Sequence, residues 1–121
     1  MQMNMKDRVA VVTGGSKGIG FAVARAFAAS GAKVAIVARG AEALQAARLS
    51  LASDGLKVAD YVCDVAKAED IRSVHGRIVS DLGDVDVLVN NAGTSRALAF
   101  EEVTDQIWQE DLDLKLFAAF Y

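Results

Sequence analysis

Within Thr13-Gly14-Gly15-Ser16-Lys17-Gly18-Ile19-Gly20, Gly14, Gly18 and Gly20 stand where a backbone would have to turn tightly and approach an anion. A side chain at Gly14 would obstruct a tight turn, and one at Gly18 would keep the backbone from a pyrophosphate. One at Gly20 would hold a helix off a sheet. Amides at the start of that helix then face the anion, favoured by the helix dipole. The chemistry implied is capture of a dinucleotide. A glycine-rich loop without a ligand is the alternative. The context supports capture, because the run follows an apolar strand pattern, opens a helical one and lies in a βαβ unit.

A second set of residues refines the ligand. The residue ending the second strand of such a unit meets the adenosine ribose about 20 positions past the glycines. An acid there takes the 2′-hydroxyl, whereas an Arg accommodates a 2′-phosphate. This chain reads Val37-Ala38-Arg39, with no acid between Val34 and Ala41. Lys17 supplies another cation beside the glycines. The planar guanidinium of Arg39 suits a phosphate. The competing reading makes both cations solvated surface charges. Asp64 follows the third strand pattern, where ligands gather in parallel sheets, and is also placed to cap the next helix. Cys63 reads as a small packed residue. His75, among Val74, Ile78 and Val79 with no Cys or second His nearby, reads as structural.

These residues need a parallel sheet to position them. Val9 to Val12, Val34 to Val37, Lys57 to Val62 and Val85 to Val89 are short apolar runs of buried-strand type. Between them, Phe21 to Ala29, Ala41 to Leu51 and a stripe of Ile71, Val74, Ile78 and Leu82 read as helices. Gly31, Asp54-Gly55 and Gly83 end those helices. Asn90-Asn91-Ala92-Gly93 breaks the fourth strand, and Thr104 caps a last helix from Asp105 to the chain end. The expected fold is α/β, a doubly wound parallel sheet of Rossmann type, truncated after the fourth strand and the following helix.

Composition excludes several other classes. The 121 residues carry 16 acidic and 13 basic side chains, a net charge of −3, which gives no footprint for nucleic acid or an anionic membrane. With 53% apolar residues the chain is no disordered tail. One Cys allows neither an internal disulfide nor a thiolate metal cluster. No apolar run approaches the roughly 18 residues needed to span a bilayer, and the charged start lacks a signal-peptide core. A cytoplasmic location is expected. Average usage predicts about six prolines in this length; the chain has 0, as suits tight strand–helix turns.

In combination, Thr13-Gly14-x-x-x-Gly18-Ile19-Gly20 and Asn90-Asn91-Ala92-Gly93 resemble the short-chain dehydrogenase/reductase family. Cys63-Asp64-Val65 resembles the Asp-Val pair that family sets at the adenine. The resemblance runs from about Lys6 to Tyr121 and covers the first, cofactor-binding half of the family's fold. It implies that basic residues at Lys17 and Arg39 select NADP(H) over NAD(H). It implies that Asp64 accepts the adenine amino group with Val65 beside the ring. It further implies that Asn91 ties strand four to strand one near Thr13, and that Ala92 and Gly93 let the cofactor's sugar approach. Thr13, Gly14, Ser16, Lys17, Gly18, Ile19 and Gly20 form the loop itself.

The family's reaction passes a hydride between the nicotinamide and a carbonyl or secondary alcohol, using a Ser and a Tyr-x-x-x-Lys. Tyr61 is followed four positions on by Val65, Tyr121 is the last residue, and no Ser follows Ser95. The family often has an Asn seven residues after a Trp. Here that position, counted from Trp108, is Lys115, which is also placed to pair with Asp111. No catalytic residue is therefore assigned. Arg96, in the loop after Gly93, either meets an acidic substrate or is solvated. Residues 1–121 read as a partial dinucleotide-binding domain whose catalytic half is absent, expected to be inactive alone. The resemblance implies a small carbonyl or alcohol substrate and a homo-oligomer for the complete family protein. Two alternatives stay open: a stand-alone nucleotide-binding module without catalysis, and an inactive remnant. Two apolar stripes on the last helix and a bare edge on strand four argue against the module.

Overall fold

The computed structural model describes residues 5–64 and 67–91 in full and residues 116–120 as backbone. In chain order the elements are β1 (Val9–Thr13), α1 (Gly18–Ala29), β2 (Lys33–Ala38), α2 (Ala41–Ser53), β3 (Val58–Val62), α3 (Ala68–Leu82), β4 (Val87–Asn91) and β5 (Leu116–Phe120). The strands form one parallel sheet in the order β3-β2-β1-β4-β5. This is the doubly wound α/β architecture expected.

The apolar runs become strands because each side of the sheet is covered. Alternate residues point to opposite faces. Val9 and Val11 join Ala35, Val37 and Leu88 against Ile71, Val74 and Ile78 of α3. Ala10 and Val12 join Val34, Ile36 and Val89 against Ala24 and Phe27 of α1 and Leu44, Ala47 and Leu51 of α2. The chain steps outward from β1 to β3, then returns to lay β4 on the other side of β1. Right-handed crossovers put helices from the two directions of travel on opposite faces. The order reverses between β1 and β4, and in sheets of this kind the carboxyl ends at such a reversal border the ligand crevice.

Register fixes what lines that crevice. Thr13 pairs with Val37 of β2 and Asn90 of β4, so three strands end level with one another. Asp86 secures the other end: its carboxylate accepts the Val9 amide at 3.0 Å and its own amide donates to the Val9 carbonyl. α1 closes with a Schellman pattern, Ala32 N–H to Phe27 O and Gly31 N–H to Ala28 O, with Gly31 at φ +94°.

Three expectations need correction. The chain end is not helical at Leu116–Phe120, which pairs in parallel with β4 from Val87↔Leu116 to Asn91↔Phe120. Leu-Phe-Ala-Ala-Phe is a short uncharged apolar run, for which periodicity alone does not separate strand from buried helix. The open ladder of β4 supplies the partner that decides it. The sheet thus does not stop at its fourth strand, and the edge of β4 expected to be bare is covered. Second, β4 starts at Val87 and includes Asn90 and Asn91, which were expected to break it. Third, α1 starts at Gly18, three residues before the expected Phe21. Thr104, Asp105, Trp108, Asp111 and Lys115 lie outside the described residues.

Candidate functional site

Thr13 ends β1 and is buried. Its hydroxyl lies 3.0 Å from Asn90 Oδ1 and 3.3 Å from the Val89 carbonyl. One hydroxyl proton serves one strong bond, so the shorter contact takes it. The same oxygen accepts the Asn91 amide at 3.0 Å. Asn91 Nδ2 in turn donates to the Gly14 carbonyl at 3.3 Å, and the Gly14 amide donates to the Val37 carbonyl at 2.7 Å. The ends of β4, β1 and β2 and the first residue of the glycine loop are thereby tied together.

The glycines follow from this crowding. Gly14 has φ +65°, and a Cβ there would strike the Asn91 carbonyl oxygen. A Cβ on Gly20 would strike the Gly14 carbonyl and come within 2.6 Å of Asn91 Nδ2. The need for Gly20 therefore comes from the loop folded over it, a closer contact than the helix–sheet spacing expected. Gly18 differs: a Cβ there would meet nothing within 4 Å among the described residues. The described residues leave the space in front of Gly18 open.

That opening has the right polarity for an anion. The first helical bond of α1 runs from Phe21 N–H to the Lys17 carbonyl, so the amides before it have no partner within the helix. No acid lies in the first turn of α1, whereas α2 carries Glu42 and α3 carries Glu69 and Asp70 there. Lys17 is the N-cap residue and makes no side-chain cap bond. Lys17 and Arg39, just past β2, are exposed and form no ion pair among the described residues. Ser16 is half-buried, while Ile19 is 56% exposed at the loop mouth, an unusual position for a large apolar side chain.

Asp64 stands two residues past β3, at the same edge of the sheet. It is half-buried; its amide donates to Asp70 Oδ2 at 3.2 Å, and its carbonyl accepts the Lys67 amide at 2.9 Å. The N-cap of α3 is Lys67, so Asp64 is not the helix cap that one reading made it. Val65, Ala92, Gly93 and Arg96 lie outside the described residues.

The structure thus brings Thr13, Gly14, Gly18, Gly20 and Asn91 together and sets Arg39 and Asp64 at the ends of the neighbouring strands. Sequence reasoning missed Gly15 and Asn90. A Cβ on Gly15 would fall 2.8 Å from Ile36 Cγ2. Asn90 is 1% exposed, and its Nδ2 finds no hydrogen-bond partner among the described residues. Two adjacent Asn at the end of a buried strand were the available signal, since one of them must point inward.

The remaining reactive side chains are sealed. Burial pushes the Cys63 thiol up to about 11, helped by the nearby Asp70 and Asp64 carboxylates. The Tyr61 phenol, which donates to Asp81 Oδ2 at 2.8 Å, is pushed up to about 12, first by burial and then by that bond. The Arg77 guanidinium lies 5.2 Å from its ring centre. Neither group is a neutral-pH acid or base facing the crevice. His75 is buried on α3. Among the described residues no group of three His, Cys, Asp or Glu side chains is arranged to hold a metal ion. No helix among them is long and apolar enough to cross a membrane.

The family model of short chain dehydrogenases matches residues 8–121. This chain belongs to the short-chain dehydrogenase family. It is 36% identical to D-threitol dehydrogenase of Mycolicibacterium smegmatis over 116 residues, 96% of this chain and 45% of that protein. The crystal structure of L-sorbose reductase from Gluconobacter frateurii, complexed with NADPH and L-sorbose, superposes with a TM-score of 0.80 at 32% identity. That match covers 89% of this chain and 48% of the reductase. An NADPH-bound short chain oxidoreductase of Pseudomonas aeruginosa, which contains an atypical catalytic centre, superposes with a TM-score of 0.83 at 30% identity. There the match covers 95% of this chain and 54% of the other. The short-chain dehydrogenase chain described here spans less than half the length of the curated relatives it matches.

Proposed function

We propose that this crevice is the NADP(H) site of an oxidoreductase that passes a hydride between the nicotinamide and a small carbonyl or secondary alcohol. The observation that carries the proposal is the open, acid-free start of α1 at the point where strand order reverses, with Arg39 in place of an acid after β2. The amides of Gly18 to Gly20 bind the pyrophosphate. Arg39 and Lys17 bind the 2′-phosphate. Asp64 accepts the adenine amino group, and Val65 packs beside that ring. Ser16 and Ile19 line the loop mouth; Ala92 and Gly93 border the sugar. Thr13 and Asn91 hold the wall in place. The cofactor supplies the hydride; these residues bind and orient it. The NADPH in two related structures supports this reading.

Within the 121 residues there is no Tyr-x-x-x-Lys and no Ser after Ser95. Without a general acid at the carbonyl, a factor of roughly 10²–10⁴ is missing. Binding without measurable carbonyl reduction is the behaviour proposed for these residues alone. The variants Lys17→Ala and Arg39→Ala test the cofactor assignment. Each is expected to weaken NADPH binding about tenfold, the worth of a charge-assisted bond, and to leave NADH binding unchanged. Equal losses for both cofactors, or none, count against the assignment.

A further inference from the structure

We infer that Asp70 is a positioning residue for the adenine end of the site, acting through the backbone of Asp64. The inference rests on the reading of Asp64 as the acceptor for the adenine amino group. Asp70 is the third residue of α3, half-buried, with one carboxylate oxygen 3.2 Å from the Asp64 amide nitrogen. An acid at this helix position ordinarily reaches back to the N-cap amide. Here it reaches past the N-cap, Lys67, to a residue three positions earlier, near the start of the β3–α3 connection. The Asp64 carbonyl is held at the same time by the Lys67 amide. Both backbone groups of Asp64 are thus anchored to the start of α3, and α3 is packed on the sheet through Ile71, Val74 and Ile78. The Asp64 side chain leaves a backbone whose direction is set by Asp70. Two acids six residues apart consequently have different work: Asp64 meets the base, and Asp70 aims it.

The test compares NADPH with its hypoxanthine analogue, in which the adenine amino group is replaced by a carbonyl oxygen. A carboxylate aimed at that position favours the amino form roughly tenfold or more, because the analogue sets one acceptor against another. In Asp64→Ala the ratio of the two dissociation constants is expected to fall to about one. In Asp70→Ala it is expected to fall at least threefold, and Asp70→Asn, whose amide oxygen still accepts the Asp64 N–H, is expected to restore most of it. If Asp64→Ala abolishes the preference while Asp70→Ala keeps the full ratio, the inference is overturned and the adenine reading stands. If Asp64→Ala keeps the ratio, the adenine reading fails. The Asp64–Asp70 bond then has its own readout in the cofactor-free chain. Exchange of the Asp64 amide is expected to speed up in Asp70→Ala and not in Asp70→Asn, and unchanged exchange in both overturns the inference.

Discussion

At the scale of single residues, the site is held by contacts too close for substitution. Gly20 has the Gly14 carbonyl and the Asn91 amide where a Cβ would stand. Gly20→Ala is expected to lower stability by about 1–3 kcal/mol, the usual cost of overpacking, and to weaken NADPH binding as the loop shifts. Denaturant unfolding and a cofactor titration on the same variant measure the two effects. Tyr61 and Cys63 give a pH prediction. Both groups are held protonated in the fold, at about 12 and about 11, whereas their ordinary values are 10.0 and 9.0. At lower pH both states are protonated, so their contribution is complete. As pH rises past 9 and then 10, the unfolded chain releases protons that the folded chain retains, and stability falls. The loss is complete once pH passes the folded values. Each unit of separation is worth about 1.4 kcal/mol. Unfolding measured from pH 8 to 11 is expected to show this decline, shallower in Tyr61→Phe. A flat profile would contradict the packing described for both residues. The glycines were legible in the sequence because steric exclusion leaves no other residue for such turns. The inward direction of Asn90 was not, since it depends on β4 running on through Asn90 and Asn91 and not breaking there.

At the scale of elements, packing decides the outcome more than propensity does. Leu51 of α2 is 0% exposed and Leu49 on the same helix is 53% exposed. Leu51→Ala is therefore expected to cost about 2–5 kcal/mol. Leu49→Ala is expected to stay within about 0.5 kcal/mol. Chemical denaturation of both variants checks the contrast, and similar losses would contradict the orientation of α2. The first four strands and three helices were legible because short continuous apolar runs mark strands buried on both faces and the segments between them follow helical patterns. The fifth strand was not. Leu116 to Phe120 satisfies both templates, and only the presence of β4 alongside makes it a strand. The start of α1 was also hidden, because Gly18 and Gly20 weaken any helical pattern they open.

At the scale of the whole molecule, the order β3-β2-β1-β4-β5 does the functional work. It brings the glycine loop, Arg39, Asp64 and Asn91 to one edge although they are spread from residue 14 to residue 91. Alternating strands and helices in the sequence imply that convergence, since ligands bind at the carboxyl ends of parallel strands where the order reverses. This edge is expected to select a 2′-phosphorylated nicotinamide dinucleotide. Titration of the chain with NADPH and with NADH, followed by nicotinamide fluorescence, tests it most directly. NADPH is expected to bind at least tenfold more tightly, while equal or tighter binding of NADH would contradict the account.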